Sequence, residues 1–289
     1  MARPLRIEFP GAVYYLSSQG RGNTAIFMDK VDRQSLLSVL AHGMERFDAQ
    51  VLAYCLLDDS VELVVFTAQA NLSRLMRHVN GVYTQAFNRR HGRSGPVLQG
   101  RFKSVLVDRD KALLGACQYV ETAAVRAGLA RTAGSWAWSS FAAHTGQAGV
   151  PAWLDSQGLL SFVLGRAART PSECRKAGER YAASLAQFDG AAFWSDTLRH
   201  QIYLGDAAFV ARMRASKWRG AAKSARSSAK PAAGRGKARL AQWINDSASR
   251  EEGLLRAYTE GGLSMTAMAE ALGLSVARVS RLIARAEAA

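Results

Sequence analysis

The residues best suited to chemistry by type and spacing lie around one predicted turn. Residues 51–66, VLAYCLLDDSVELVVF, predict two apolar strands joined at Asp58–Asp59. Side chains two apart on a strand point to one face, so Ser60 and Glu62 would lie together, on the same strand face as Asp58. Oxygen ligands of this kind suit Mg²⁺ or Mn²⁺. An Asp at a turn also caps it, so a carboxylate metal site and a group of surface acids both stay open.

A second candidate is Tyr119, in a predicted helix over 110–122. Helical periodicity places it on a stripe with Ala116 and Ala123, beside an apolar stripe that contains Cys117 and Val120. A phenol hydroxyl with a pKa near 10 is a poor nucleophile at neutral pH unless a metal ion or a base assists it. The position therefore fits a nucleophile, a packing residue or a platform on which a base stacks.

Basic residues cluster between the second predicted helix and the strand that follows it. Phe87 and Phe102 interleave with these cations, and cations beside aromatic faces suit a single strand or a hairpin of nucleic acid. A solvated basic loop is the alternative. The candidates here are Arg89, Arg90, Arg93, Arg101 and Lys103, and we add Arg21 in a Gly-rich loop and Arg126 after the third helix.

The charge of the chain narrows its class of partner. Its 38 Lys and Arg exceed its 23 Asp and Glu, giving +15 over 289 residues, and such a field favours nucleic acid or an anionic surface. No apolar run approaches the roughly 20 residues that span a bilayer. Three separated cysteines suggest a reducing compartment. We expect a cytoplasmic, nucleoid-associated protein that binds DNA and not membrane.

The elements that must position these residues predict an α+β fold. Strands at 12–18, 51–57, 60–66 and 102–107 interleave with helices at 29–47, 72–88 and 110–122, which indicates an antiparallel sheet flanked by helices over 1–150. Residues 151–213 predict an all-α extension. Residues 214–245 predict a flexible basic linker, since ten Lys or Arg lie between Arg212 and Arg239 and no acidic residue lies between 207 and 245.

Residues 246–289 have the pattern of a helix-turn-helix module. Two short helical segments are separated by Gly273, with Ser264 and Ser275 as caps. Met268, Leu272, Leu274, Val279 and Ile283 would form its core. The outward residues that would contact duplex DNA are Arg278, Ser280, Arg281 and Arg285. A generic three-helix packing module is the alternative.

Several long strings resemble a known family. Four of them are ARPLRIEFPGAVYYLSSQGRGN, NLSRLMRHVNGVYTQAFNRRHGRSGPVLQGRFKSVLVD, YVETAAVRAGLARTAGSWAWSSFAAH and IYLGDAAFVARM. These strings are similar to the REP-associated tyrosine transposases, which are HUH-type single-strand DNA transposases. The resemblance implies the ferredoxin-like HUH fold. It also implies a helix tyrosine that attacks a DNA phosphorus, and a Mg²⁺ or Mn²⁺ ion held by two strand histidines and a helix asparagine.

Mapping that family onto this chain implies a degenerate metal site. The nucleophile position matches Tyr119, but the histidine positions hold Ser60 and Glu62, and the asparagine position holds Ala123. A methyl group cannot bind a metal ion, so we expect no metal cofactor. We therefore predict a DNA-binding protein of transposase descent that is catalytically inactive and binds hairpin or single-stranded DNA. The alternative is an active transposase or nickase that forms a phosphotyrosine at Tyr119 with a rebuilt carboxylate site.

Overall fold

A computed structural model describes residues 6–215, 240–259, 263, 265–274, 278–279, 281–283 and 286. The chain divides into two compact units, 1–222 and 223–289, and each is described by itself. No helix within these described ranges is both long enough and apolar enough to cross a membrane.

The first unit is built on one six-stranded sheet. Its strands are β1 (Ala12–Gln19), β2 (Ala49–Leu56), β3 (Ser60–Thr67), β4 (Lys103–Val107), β5 (Leu198–Arg199) and β6 (Tyr203–Leu204). The spatial order is β2-β3-β1-β4-β6-β5. The strands β1 to β4 are antiparallel, as predicted, but β4 and β6 run parallel. The sheet is therefore mixed, and the prediction of a wholly antiparallel sheet is corrected.

The hairpin of β5 and β6 lies in a segment that the sequence predicted to be helical. His200 and Gln201 take left-handed backbone angles, with φ of 50° and 62°, and form a tight turn. Tyr203 and Leu204 are buried and pair with the end of β4. The prediction of an all-α extension is therefore wrong for these residues. A strand of two residues is too short to show the alternating pattern that distinguishes a strand from a helix.

Two helices cover one face of the sheet, α1 (Lys30–Phe47) and α2 (Leu72–Arg90). Asp29 caps α1 by accepting from the backbone amides of Val31 and Asp32. Leu40 and Met44 of α1 are buried against the sheet. Both helices form where helical periodicity predicted them.

The opposite face is covered by shorter helices. These are α3 (Leu113–Glu121), α4 (Ala123–Arg126), α5 (Phe141–His144), α6 (Ser156–Leu164), α7 (Pro171–Ala186) and α8 (Gly190–Thr197), and α9 (Ala207–Ala215) follows the sheet. Ala116, Cys117 and Val120 of α3 are buried with Tyr15 and Val64 of the sheet. This face carries the candidate site.

The second unit is helical. It contains a helical stretch at 240–245, then α10 (Arg250–Thr259) and α11 (Met265–Leu272). Its core buries Met268, Val279 and Ile283 as predicted, and Leu272 and Leu274 pack against it. The helix-turn-helix arrangement stays a prediction, since Ser264, Ser275, Ser280 and Arg285 lie outside the described residues.

The predicted linker has different borders from those expected. Residues 214–215 belong to the end of α9, and 240–245 are helical. Residues 216–239, which carry most of its basic charge, lie outside the described part of the chain.

Candidate functional site

One row of the sheet brings the strand candidates together. Glu62 of β3 pairs with Cys55 on one side and with Ser17 of β1 on the other, and Ser17 pairs in turn with Lys103 of β4. Val61 and Leu63 belong to the core under α1 and α2. Side chains alternate along a strand, so Glu62 faces α3 and α4.

Arg126 joins this row to the helix tyrosine. Its Nη2 atom donates to Glu62 Oε2 at 3.1 Å, and its Cζ atom lies 3.5 Å from the centroid of the Tyr119 ring. Its Nη1 atom donates to the carbonyl of Tyr119 and to the hydroxyl of Thr122. A planar guanidinium can donate a hydrogen bond and stack on a ring at the same time. Arg126 therefore contacts both Glu62 and Tyr119.

Helix α8 covers the outer side of the tyrosine. The indole of Trp194 stacks on Tyr119, with centroids 4.5 Å apart and an angle of 23°. Tyr15 packs edge-on to the same indole at 4.8 Å, and Lys103 Nζ lies 5.1 Å from it. A Cβ atom at Gly190 would lie 3.3 Å from Arg126 and 3.4 Å from Tyr119. The first turn of α8 therefore lies directly against the site.

Burial sets the electrostatics of the two central groups. Burial raises the pKa of the Tyr119 phenol, and the neighbouring Arg126 only partly opposes it. Burial also raises the pKa of the Glu62 carboxyl, with Arg126 again acting in the opposite direction. Tyr119 is therefore less acidic than an ordinary tyrosine, which is the reverse of what activates a nucleophile.

The other positions predicted from the resemblance to be metal ligands lack strong ligands for a divalent ion. Ser60 donates its hydroxyl to Asp59 at 3.0 Å, and Ala123 buries a methyl group. Asp58 is ion-paired to Arg33 at 2.5 Å, so it does not join Glu62 in a carboxylate cluster. Among the described residues, no three His, Cys, Asp or Glu side chains are grouped as metal ligands.

A basic groove of about 460 Å³ adjoins the site and shares Lys103 with it. Among the described residues that line it, Arg6, Arg101 and Lys103 are cations and none is a carboxylate. It also contains the amides of Gln19, Gln99 and Gln201 and the ring of Phe102. Two of its cations, Arg101 and Lys103, were predicted from sequence, and the structure brings them together.

Arg6 is a groove residue that sequence reasoning missed. Its guanidinium lies 3.6 Å from the Phe102 centroid and donates to the Phe102 carbonyl at 2.7 Å. Burial and the nearby Arg101 lower its pKa, against an opposing effect of Glu8. Both causes disfavour the charge on Arg6, and the negative charge of an anion in the groove would oppose them. The only signal in the sequence was its place in the resembling string.

The basic residues at the end of α2 are arranged differently. Arg90 is ion-paired to Asp29 and, at 2.6 Å, to Asp32. His91 Nε2 lies 3.0 Å from Asp32. These pairs connect the end of α2 to the start of α1, and they neutralise the charge of Arg90.

The remaining predicted cations are exposed. Arg93 lies 6.0 Å from the Phe87 ring, and Arg21 begins a short 3-10 turn at Arg21–Asn23. Arg89, Arg278 and Arg281 are also exposed, whereas Arg285 lies outside the described residues. The role of these residues in binding DNA stays a prediction.

A buried polar cluster lies behind Tyr119. Glu121 and His144 are fully buried, with His144 Nδ1 2.7 Å from Glu121 Oε1. Ser140 donates to the same carboxylate oxygen, and the Tyr181 ring lies edge-on to His144. A lone histidine carries no sign of an acid 23 positions before it.

Comparison with known proteins does not identify a family for this chain. No family model matches the sequence, and no curated protein matches it. Among solved structures, the chain is similar to a REP-associated tyrosine transposase bound to a REP hairpin. The likeness covers 52% of this chain and 89% of that chain, with 16% identity and a TM-score of 0.46. At these values it defines neither the class nor the function of this protein.

Proposed function

We propose that this chain is a DNA-binding protein of transposase descent that no longer cleaves DNA. In this proposal its first unit binds hairpin or single-stranded DNA, and its second unit binds duplex DNA as a helix-turn-helix module. It uses no metal cofactor. It acts in the cytoplasm in association with the nucleoid.

The observation that carries the proposal is the contact of Arg126 with both Glu62 and Tyr119. Glu62 is the one family ligand position that still holds a coordinating group. Its carboxylate is occupied by a guanidinium, and Ser60 and Ala123 offer no second strong ligand to a cation. Tyr119 is left with a raised pKa and a stacked ring.

The basic groove supports the proposal that the first unit binds DNA. Three cations without a lining carboxylate favour a polyanion, and Phe102 supplies an aromatic surface among them. The groove meets the Tyr119 site at Lys103, so a strand lying along it would lead to the former catalytic position.

The test is to incubate the purified chain with labelled palindromic single-stranded DNA, with EDTA and with Mg²⁺ or Mn²⁺. We expect a gel shift of equal strength in each condition, without cleavage. Tyr119→Phe should bind equally well. A covalent protein–DNA adduct that forms with metal and disappears in Tyr119→Phe would contradict the loss of cleavage and show an active nickase. No shift under any condition would contradict DNA binding.

A further inference from the structure

The ion pair between Arg126 and Glu62 is enclosed but still reachable from solvent. The Glu62 side chain is 14% exposed and that of Arg126 is 26% exposed. The fork of an arginine fits a carboxylate and a phosphate by the same geometry, with two oxygens facing two N–H groups. Glu62 accepts from the Nη2 atom of Arg126, a donor that a phosphate could use instead.

A second cation lies near the same aromatic pair. Tyr119 and Trp194 are stacked, Arg126 lies against the ring of the first and Lys103 Nζ lies 5.1 Å from the ring centroid of the second. The charge of Lys103 also acts to lower the pKa of Glu62. Lys103 therefore adds positive charge to the surroundings of the Arg126–Glu62 pair.

The hydroxyl of Ser17 lies on the same row. Ser17 pairs with Glu62 on one side and with Lys103 on the other, so its side chain is on the face that carries both. A hydroxyl between two cations is a common partner of a phosphate oxygen.

We propose that Arg126 binds a DNA phosphate without a metal ion, and that Glu62 is an internal competitor for Arg126. This rests on the proposed function, since the ligand is the phosphate of a bound DNA strand. In the free protein the Glu62 carboxylate occupies the guanidinium. On binding, a phosphate takes its place, and the cost of breaking the ion pair weakens the affinity of the wild-type chain.

The test is a double-mutant cycle in EDTA, measured by fluorescence anisotropy with the labelled palindromic single strand. Glu62→Gln should tighten binding by about tenfold, because a neutral amide competes less strongly for a charged donor. Arg126→Gln should weaken it. In the Arg126→Gln background the second change, Glu62→Gln, should have little effect, since there is no guanidinium left to release.

Glu179→Gln is the matched control, because Glu179 is exposed on α7 and its loss changes the net charge equally. Glu62→Asp is a second variant that keeps the charge but shortens the reach to Arg126, and it should also tighten binding. Circular dichroism checks that each variant is folded.

Two outcomes overturn the inference and leave the proposed function intact. In one, the wild type binds DNA and Glu62→Gln has no more effect than Glu179→Gln. In the other, Glu62→Gln tightens binding equally with and without Arg126. If neither the wild type nor any variant binds DNA, the proposed function itself has failed.

Discussion

The Arg126 guanidinium lies against the Tyr119 ring, with its Cζ atom 3.5 Å from the ring centroid, while its Nη2 atom donates to Glu62 of β3. The resemblance to HUH-type transposases assigns a nucleophile to Tyr119 and a metal ligand to Glu62. In this chain a side-chain cation contacts both. The Glu62 carboxyl group is therefore already paired with a cation of the chain itself.

The packing of α8 on α3 can be tested at one glycine. A Cβ atom at Gly115 would lie 2.3 Å from the Phe193 ring, so Gly115→Ala should force α8 outward. We expect a loss of about 1–3 kcal/mol in the free energy of unfolding, typical of overpacking. Urea denaturation followed by tryptophan fluorescence measures it.

Gly81→Ala on α2 is the matched control. Nothing lies within 4 Å of the Cβ atom that would be added there, so alanine should stabilise the helix by about 0.5–1 kcal/mol. Equal effects of the two substitutions would contradict close packing between α3 and α8.

The groove should contribute directly to the salt dependence of binding. Arg6→Gln removes one of its three cations. If Arg6 contacts a phosphate of a single strand, the slope of log K against log salt should fall in magnitude by about 0.7. Arg180→Gln, an exposed cation on α7, is the control and should leave the slope nearly unchanged. A wild-type slope in Arg6→Gln would exclude Arg6 from the interface.

The basic segment beyond α9 gives a separate prediction from the sequence. Deleting 216–239 should flatten the same slope, because the segment carries much of the positive charge between Arg212 and Arg239. Its removal should leave the unfolding of the first unit unchanged. An unaltered slope would show that the segment does not contact DNA.

The pair of Arg90 and Asp29 predicts a dependence of stability on pH. The hydrogen bond from Arg90 lowers the pKa of Asp29 to about 2, below an unfolded value of about 3.9. A lowered folded pKa means that this stabilisation is present above about pH 4 and is lost as the pH falls towards 2. Arg90→Met should shift the Asp29 pKa upward, as measured by NMR titration, and flatten the loss of stability in that window. An unshifted Asp29 would contradict the ion pair.

The buried pair of Glu121 and His144 should be important for stability. Glu121→Ala leaves the buried imidazole without its acid, and we expect a loss of about 3–5 kcal/mol. A double-mutant cycle with His144→Ala tests whether the two act together. Additive losses would show that the two side chains do not depend on each other.

The sequence defined the core of the sheet well because its signals are local. Strands β1 to β4 and helices α1 and α2 form within about two residues of the predicted limits, since alternation and helical period are present in each segment. The hairpin at 198–204 was missed because two strands of two residues carry no period. Their pairing depends on a β4 edge that is about 100 residues away.

In the candidate site, too, the residues were found from the sequence but their contacts were not. Tyr119, Glu62 and Arg126 were each selected from the sequence, but the contact of Arg126 with Glu62, which lies 64 positions earlier, was not predicted. Arg90 was assigned to DNA, although it is paired to the start of α1. Residue type indicates which groups carry charge, whereas only the fold determines which charges neutralise each other.

The most direct test of the central claim is a titration of the chain with Mn²⁺ followed by electron paramagnetic resonance, which measures free manganese. If Arg126 occupies the Glu62 carboxylate, the signal of free Mn²⁺ should rise from the first addition and be identical in Glu62→Gln. Stoichiometric uptake of Mn²⁺ by the wild type, lost in Glu62→Gln, would contradict the account.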